Sequence, residues 1–108
     1  MEEAQIYNHR EWLPITNSAV LVERLSKMLE QSGYTVLNFV EHHFEPQGYT
    51  SLWLLSESHL ALHTFPENEK SYVELSGCRK EMNEDFVRLM NAWLEELHGS
   101  IDPSVSIA

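Results

Sequence analysis

The sequence is short of cysteine and of basic residues, and each shortage excludes a class of function. Cys78 is the single cysteine among 108 residues, which excludes an intramolecular disulfide framework and any zinc site built from several cysteines. The chain has 7 Lys+Arg against 17 Asp+Glu, a formal net charge of −10. Nucleic acids and anionic membrane surfaces repel so acidic a protein, and we expect it to bind neither.

Long apolar runs and linker-like segments are also missing. No run approaches the ~20 apolar residues that a membrane-spanning helix needs. The opening MEEAQIYNHREW contains acidic residues and no apolar core, unlike a secretory signal. The 4 glycines and 4 prolines are scattered and mark no linker. We therefore expect one cytoplasmic domain over residues 1–108, a length that is ordinary for a single domain.

Two segments carry apolar residues at helical spacing. The first is Ser18–Gln31, with apolar residues on one face, and Gly33 follows where a helix commonly ends. The second begins with Asn83 as its expected N-cap and ends at Gly99. The expected buried stripe of the second helix consists of Phe86, Leu89, Met90, Trp93, Leu94 and Leu97.

Between these helices the pattern changes to that of short β-strands separated by turns at 46–48 and 66–68. The expected strands are 35–40, 51–55, 60–64 and 71–75. Residues 5–11 form a weaker candidate strand, and residues 105–107 are a candidate edge strand.

The run Leu52-Trp53-Leu54-Leu55 is apolar on both faces of its expected strand. Helices on one side of a sheet would cover only half of that run. A second sheet packed on the other face would cover the rest, and a second copy of this short chain is its simplest source. We therefore predict an α+β fold: a two-layer sandwich of an antiparallel sheet with two helices on one face. The sheets are expected to pack face to face in a homodimer.

One stretch combines a polar turn with two histidines. Residues 55–67 read Leu-Ser-Glu-Ser-His-Leu-Ala-Leu-His-Thr-Phe-Pro-Glu, which places a Ser-Glu-Ser-His turn between two apolar strands. Beyond the turn, His59 and His63 face the opposite side from the alternating leucines. By composition alone this is a tight hairpin, with His63 as a hydrogen-bonded strand residue and Cys78 as a small buried side chain.

Taken together with His43-Phe44-Glu45-Pro46-Gln47-Gly48 before it and Cys78 after it, this stretch resembles the bacterial S-adenosylmethionine decarboxylase proenzyme family. The shared elements are Glu-Ser-His, then His-Thr-aromatic-Pro-Glu, and a cysteine farther on. The resemblance spans residues 41–78 and is weaker in the two helices.

The resemblance implies a proenzyme that cleaves itself and makes a pyruvoyl cofactor. The Ser58 hydroxyl attacks the carbonyl of Glu57, and the chain splits into a β chain of 1–57 and an α chain of 58–108 that begins with the pyruvoyl group. His63 corresponds to the base that removes the α-proton during elimination. Cys78 corresponds to the acid that later protonates the α-carbon of the substrate. The ketone supplies the electron sink that decarboxylation of an amino acid requires.

Further residues take implied roles from the same resemblance. Thr50 stands where the family usually has a serine that steadies the cyclic intermediate of cleavage. Phe44 corresponds to the aromatic residue that stacks on adenine, and Glu67 to the carboxylate that accepts hydrogen bonds from the ribose. His42 and His43 are strand neighbours that face opposite ways, so we expect no metal site there.

Several functions stay open at this point. The first is decarboxylation of S-adenosylmethionine to the aminopropyl donor of spermidine synthesis. The second keeps the mechanism with ornithine or arginine as substrate, because residues 6–12 depart from the Gly-Arg-His opening of the family. A non-catalytic regulatory paralogue and a plain α+β interaction module are the others. For an active enzyme, we expect a homodimer whose active site borrows residues from the second subunit.

Overall fold

A five-stranded antiparallel sheet carries two helices on one face in the computed structural model, which describes residues 5–99. The elements are β1 (Tyr7–Leu13), α1 (Ser18–Gln31), β2 (Val36–His43), β3 (Tyr49–Leu55), β4 (Ser58–Phe65), a 3-10 turn (Pro66–Asn68), β5 (Lys70–Gly77) and α2 (Lys80–Gly99). The strand order is β1-β5-β4-β3-β2. The predicted α+β class and the single helical layer are confirmed.

Helix α1 begins and ends where the sequence predicts. The Asn17 side chain accepts a backbone N–H of the first turn at 3.1 Å, which is an N-cap. At the other end Gly33 has a φ of 92°, and the N–H groups of Gly33 and Tyr34 donate to the carbonyls of Glu30 and Leu29. This is a Schellman ending, which favours glycine because glycine adopts positive φ at little cost. It fixes the position of Tyr34.

Helix α2 begins earlier than predicted, and Asn83 is not its N-cap. The helix starts at Lys80, so Asn83 lies inside it and is buried. Its side-chain amide donates to the carbonyl of Tyr7 on β1 at 3.1 Å. The amide therefore ties the helix to an edge strand, a long-range partner that local capping rules do not consider. The predicted apolar stripe is confirmed as buried or packed against the core.

Strands β2 to β5 are longer than the sequence predicts, and β1 is shifted along the chain without a change in length. Ser58 and His59, expected in the turn, already belong to β4, because Ser58 pairs with Leu55. Strand β1 runs from Tyr7 to Leu13 instead of 5–11, since it pairs with β5 from Gly77 back to Ser71. The candidate strand at 105–107 lies outside the described residues.

Alternate residues of the sheet face a closed and an open side. On the helical side Trp53, Leu55, Leu60 and Leu62 are buried. On the opposite side, which we call the open face, Leu52 and Leu54 are 43% and 53% exposed. The run that is apolar on both faces is thus confirmed, and its outer half has no cover from residues 5–99.

Leu62 tests the assignment of the buried side. It is fully buried, so Leu62→Ala should lower the free energy of unfolding by about 2–5 kcal/mol through lost burial and the cavity left behind. The matched control is Leu37→Ala, at a residue 60% exposed, which should change it by less than about 0.5 kcal/mol. Urea denaturation at one protein concentration measures both. Equal losses in the two variants would contradict this assignment.

Candidate functional site

The predicted site residues fall into two groups at opposite ends of the β3–β4 hairpin. The cleavage end, at the turn, consists of Glu57, Ser58 and Cys78. The histidine end consists of Phe44, Thr50, His63 and Glu67. Strand β4 runs extended from Ser58 to His63, which at ~3.4 Å per residue separates their Cα atoms by about 17 Å. One chain therefore does not bring the serine and the histidine together.

The turn at the cleavage end has a strained backbone. It contains only Ser56 and Glu57, since Leu55 pairs with Ser58. Glu57 has a φ of 63°, in the left-handed region that a residue with a Cβ atom rarely adopts. Such a conformation costs on the order of 1 kcal/mol or more. The strain lies beside the Glu57–Ser58 peptide bond, where cleavage is predicted.

The Cys78 thiol lies against the carbonyl group of that peptide bond. Its Sγ atom is 3.5 Å from the Glu57 carbonyl oxygen and 3.4 Å from the Oε2 atom of the Glu57 carboxylate. The same carboxylate lies 3.9 Å from Nε of Arg79, an exposed pair that adds little stability. Cys78 reaches this place because Gly77, just before it, pairs with Ser58. The structure thus brings Glu57, Ser58 and Cys78 together.

The Ser58 hydroxyl is buried on the helical side of the sheet. Its residue is 8% exposed, and its Oγ atom has no hydrogen-bond partner among residues 5–99. The hydroxyl of Tyr34 has the same two properties. A Cβ atom on Gly77 would lie 2.9 Å from Ser58 Oγ and 3.0 Å from Tyr34 Oη, so only glycine leaves room for both. Sequence reasoning missed Tyr34, because only the sheet register places it beside Ser58.

At the histidine end two neighbours hold the His63 ring. Thr50 and His63 are cross-strand partners on the open face, with 2.9 Å between Thr50 Oγ1 and His63 Nδ1. The Tyr72 ring stacks on the other side, 6.4 Å between centroids and 19° between planes. A histidine that moves protons needs such a set orientation. Tyr72 was also missed, since its contact depends on the register of β5 against β4.

Phe44 and Glu67 lie in loops at the same end of the strands. The Phe44 N–H donates to the carbonyl of Gly48 at 2.8 Å and closes the loop after β2, leaving the ring exposed beside His42. Gln47, in that loop, donates to the Glu67 carboxylate at 3.3 Å. The Gln47 contact therefore joins the loop that carries the exposed Phe44 ring to the turn that carries Glu67.

The adjacent histidines of β2 face opposite ways, as the sequence predicts. His42 contacts the ring of Phe44, while the His43 Nε2 atom lies 3.4 Å from Glu41 Oε1 and its ring contacts Tyr49. Within residues 5–99 no three His, Cys, Asp or Glu side chains are placed to hold a metal ion. Neither helix of that part of the chain is long and apolar enough to cross a membrane.

Burial sets the ionisation of the tyrosines around these groups. It raises the pKa of the Tyr34 hydroxyl, and the charge of a Cys78 thiolate would raise it further. Burial likewise raises the pKa of Tyr49. Loss of solvation, followed by the charge of Glu74, raises the pKa of Tyr72. At neutral pH all three phenols therefore keep their protons.

Comparison with known proteins gives one consistent family. The family model described as S-adenosylmethionine decarboxylase matches residues 7–101. S-adenosylmethionine decarboxylase proenzymes of Prochlorococcus marinus (strain MIT 9313) and Clostridium botulinum (strain Loch Maree / Type A3) are 42% and 32% identical over 64 and 66 residues. These alignments cover 59% and 61% of this chain and 51% and 57% of the relatives. The chain thus spans little more than half the length of these curated relatives.

A solved structure shares the fold. The crystal structure of the adenosylmethionine decarboxylase from Aquifex aeolicus VF5 matches with a TM-score of 0.71, over 87% of this chain and 83% of that chain. Sequence identity in this comparison is 19%. At that level the likeness shows the architecture alone.

The raised pKa of Tyr34 predicts a loss of stability in alkali. The unfolded chain releases this phenolic proton near the ordinary pKa of about 10, whereas the folded chain retains it to higher pH. The free energy of unfolding therefore falls as pH rises above about 10. Tyr34→Phe should make that fall shallower, as should Tyr49→Phe. Urea denaturation from about pH 8 to about pH 11 measures the slopes, and unchanged slopes in both variants would contradict the raised values.

Proposed function

Since the chain belongs to the S-adenosylmethionine decarboxylase family, we propose that it is a self-processing, pyruvoyl-dependent decarboxylase that acts on S-adenosylmethionine. The product is the aminopropyl donor for spermidine synthesis. The cleavage end is the observation that carries this proposal, because it combines a strained Glu57, a buried Ser58 hydroxyl and the Cys78 thiol at the carbonyl between them. The names of the matched relatives favour this substrate over ornithine or arginine.

The proposed cleavage uses neighbouring groups, since Ser58 and Glu57 share the peptide bond that breaks. The Ser58 Oγ atom bonds to the Glu57 carbonyl carbon, the bond from that carbon to the Ser58 nitrogen breaks, and the hydroxyl proton ends on the freed nitrogen. Cleavage relieves the backbone strain at Glu57. The Cys78 thiol, 3.5 Å from the carbonyl oxygen, can donate to it as negative charge develops there.

The resulting ester is then eliminated. His63 removes the α-proton of residue 58, and Glu57 leaves as the carboxylate that ends the β chain 1–57. Hydrolysis of the remaining enamine releases ammonia and leaves the pyruvoyl group on the α chain 58–108. Thr50 supports His63 through the 2.9 Å contact to Nδ1, and threonine keeps the hydroxyl that this contact needs.

The residues at the two ends also fit a bound pyruvoyl group and its substrate. When formed, the pyruvoyl carbonyl supplies the electron sink that loss of carbon dioxide from an amino acid requires. Cys78 adjoins residue 58 and protonates the α-carbon of the substrate. Phe44 stacks on the adenine, and Glu67 accepts hydrogen bonds from the ribose hydroxyls.

The distance between the two ends supports a homodimer. In a two-fold dimer each contact occurs twice with the roles of the copies exchanged. If the open faces meet through Leu52 and Leu54 with their strands antiparallel, the cleavage end of one copy lies against the histidine end of the other. His63 of one copy then serves Ser58 of its partner. This arrangement covers the exposed apolar side of the sheet and completes the site in one step.

The charge of the chain supports the remaining assignments. A net charge of −10 attracts a sulfonium-bearing, cationic substrate and repels nucleic acid and anionic membrane surfaces. The charge therefore supports a small-molecule substrate and no nucleic-acid or membrane partner, and we further propose the cytoplasm as the location of the enzyme.

Self-cleavage at Ser58 is the first test. Denaturing mass spectrometry of the purified protein should show two fragments, 1–57 and 58–108, with a ketone in place of an amine at the start of the second. Ser58→Ala should stay intact, because it lacks the attacking hydroxyl. Cleavage in that variant, or a wild-type chain that stays whole on long incubation, would contradict the proposal and favour a non-catalytic regulatory role.

The substrate is tested separately with the processed enzyme. Release of labelled carbon dioxide should be seen from S-adenosylmethionine and not from ornithine or arginine assayed in parallel. Phe44→Ala should raise KM for S-adenosylmethionine, because adenine loses its stacking partner, worth about 1–3 kcal/mol. Preference for either free amino acid would overturn the substrate assignment while leaving the mechanism in place.

Mixed dimers test the shared site. Ser58→Ala keeps His63, and His63→Ala keeps Ser58, so neither variant should form the ketone alone. When both are co-expressed with different tags, the His63→Ala chain should split, to a limit of about half if subunits mix at random. The Ser58→Ala chain should stay whole. Failure of the mixture, with wild type splitting normally, would place both residues of each site in one copy.

A further inference from the structure

We propose that Tyr34 is a positioning residue for self-cleavage, whose hydroxyl holds the Ser58 hydroxyl for attack on the Glu57 carbonyl carbon. The inference rests on the proposed function and adds to it a residue that lies outside the sequence motif. It concerns the first step, formation of the ester, and not the later elimination.

The two hydroxyls share one buried space. Tyr34 is 6% exposed and Ser58 is 8% exposed, and neither hydroxyl has a partner among residues 5–99. A Cβ atom built on Gly77 would lie 3.0 Å from Tyr34 Oη and 2.9 Å from Ser58 Oγ. The two oxygens are therefore no farther apart than the sum of these two distances. Buried hydroxyls without partners are uncommon and costly. The two hydroxyls are not hydrogen-bonded to each other in this structure, and the inferred contact forms when the Ser58 side chain changes rotamer about its Cα–Cβ bond.

The position of Tyr34 is fixed by elements outside the hairpin. Its N–H donates to the Leu29 carbonyl as part of the Schellman ending of α1, which the positive φ of Gly33 makes possible. Its ring lines a groove between α1 and β2, beside Phe39 and Trp53. The phenol is thus the fixed member of the pair, and the serine side chain is the member that moves.

The chemistry of the contact suits attack by a serine. Ser58 donates its O–H to Tyr34 Oη, which leaves a lone pair of Oγ free for the Glu57 carbonyl carbon. As the new C–O bond forms and the C–N bond breaks, one proton passes from Oγ to the departing nitrogen. Tyr34 begins and ends the step as a neutral phenol, consistent with burial raising its pKa. No oxidant, reductant or further reactant is needed.

Tyr34→Phe tests the contact, because it removes the hydroxyl and keeps the ring in the groove. The half-time of splitting, followed by mass spectrometry, should lengthen about tenfold or more. Tyr7→Phe is the matched control: Tyr7 also pairs with Gly77, but its hydroxyl contacts Gln5 at the surface. It should split at the wild-type rate. Equal melting temperatures show that both variants are folded.

Hydroxylamine separates positioning of Ser58 from a general structural effect. It cuts an ester between residues 57 and 58 but leaves the amide intact, so it reports how much ester has formed. Tyr34→Phe should release little fragment with hydroxylamine, since its ester forms slowly. His63→Ala should release much, since its ester forms but is not eliminated. Release from Tyr34→Phe as large as from His63→Ala would overturn the inference.

Gly77→Ala provides a second variant that breaks the same contact. The added Cβ atom would meet both hydroxyl oxygens at about 3 Å and force them apart. Splitting should slow, and the double variant with Tyr34→Phe should be no slower than the slower single variant, because one contact is lost only once. If the slowing in the double variant equals the product of the slowing in the two single variants, the inference is contradicted. If wild type splits and Tyr34→Phe splits equally fast, this inference alone fails; if wild type never splits, the proposed function fails first.

Discussion

The pairing of β3 with β4 across a two-residue turn is the constraint on which the rest of the structure depends. Leu55 opposite Ser58 sets a register that also places Thr50 opposite His63. Because side chains alternate along a strand, the same register sends Ser58 toward the helices and His63 to the open face. A slip of one residue would exchange these faces and expose the core leucines to water. The position of every site group on the hairpin therefore follows from the packing of the core.

Two glycines, Gly33 and Gly77, determine how Tyr34 lies at the cleavage end. The positive φ of Gly33 ends α1 and places Tyr34 next to the sheet. Gly77 has no Cβ atom, and this leaves room for the hydroxyls of Ser58 and Tyr34 against β5. Neither glycine touches substrate in the proposed mechanism. Both act through space and backbone conformation, and through them a helix end and a strand end meet at one serine.

Local signals predicted the fold better than they predicted the site. The apolar spacing of Ser18–Gln31 and the ending at Gly33 placed α1, because both signals are local to the helix. The prediction of Asn83 as the N-cap of α2 was wrong, since its side-chain amide donates a hydrogen bond to the Tyr7 carbonyl on β1. Tyr34 and Tyr72 were missed for a related reason: their neighbours Ser58 and His63 come from other elements, and only strand register brings them together. The motif named the candidate residues, and the structure adds that one chain holds Ser58 and His63 at opposite ends of the hairpin.

The position of the tight turn also determines how cleavage would change the covalent connection between β3 and β4. Before the cut, Ser56 and Glu57 tether two neighbouring strands of one sheet, so the hairpin closes within a single molecule. After the proposed cleavage β3 and β4 would belong to separate polypeptides, held together by the strand hydrogen bonds, the shared core and side-chain contacts such as that of Asn83 with Tyr7. On unfolding, the two fragments would diffuse apart. Refolding would then be a bimolecular reaction that slows on dilution. The proposed loss of one peptide bond would thereby turn a single-chain fold into an assembly of two polypeptides that cannot rejoin into the original chain.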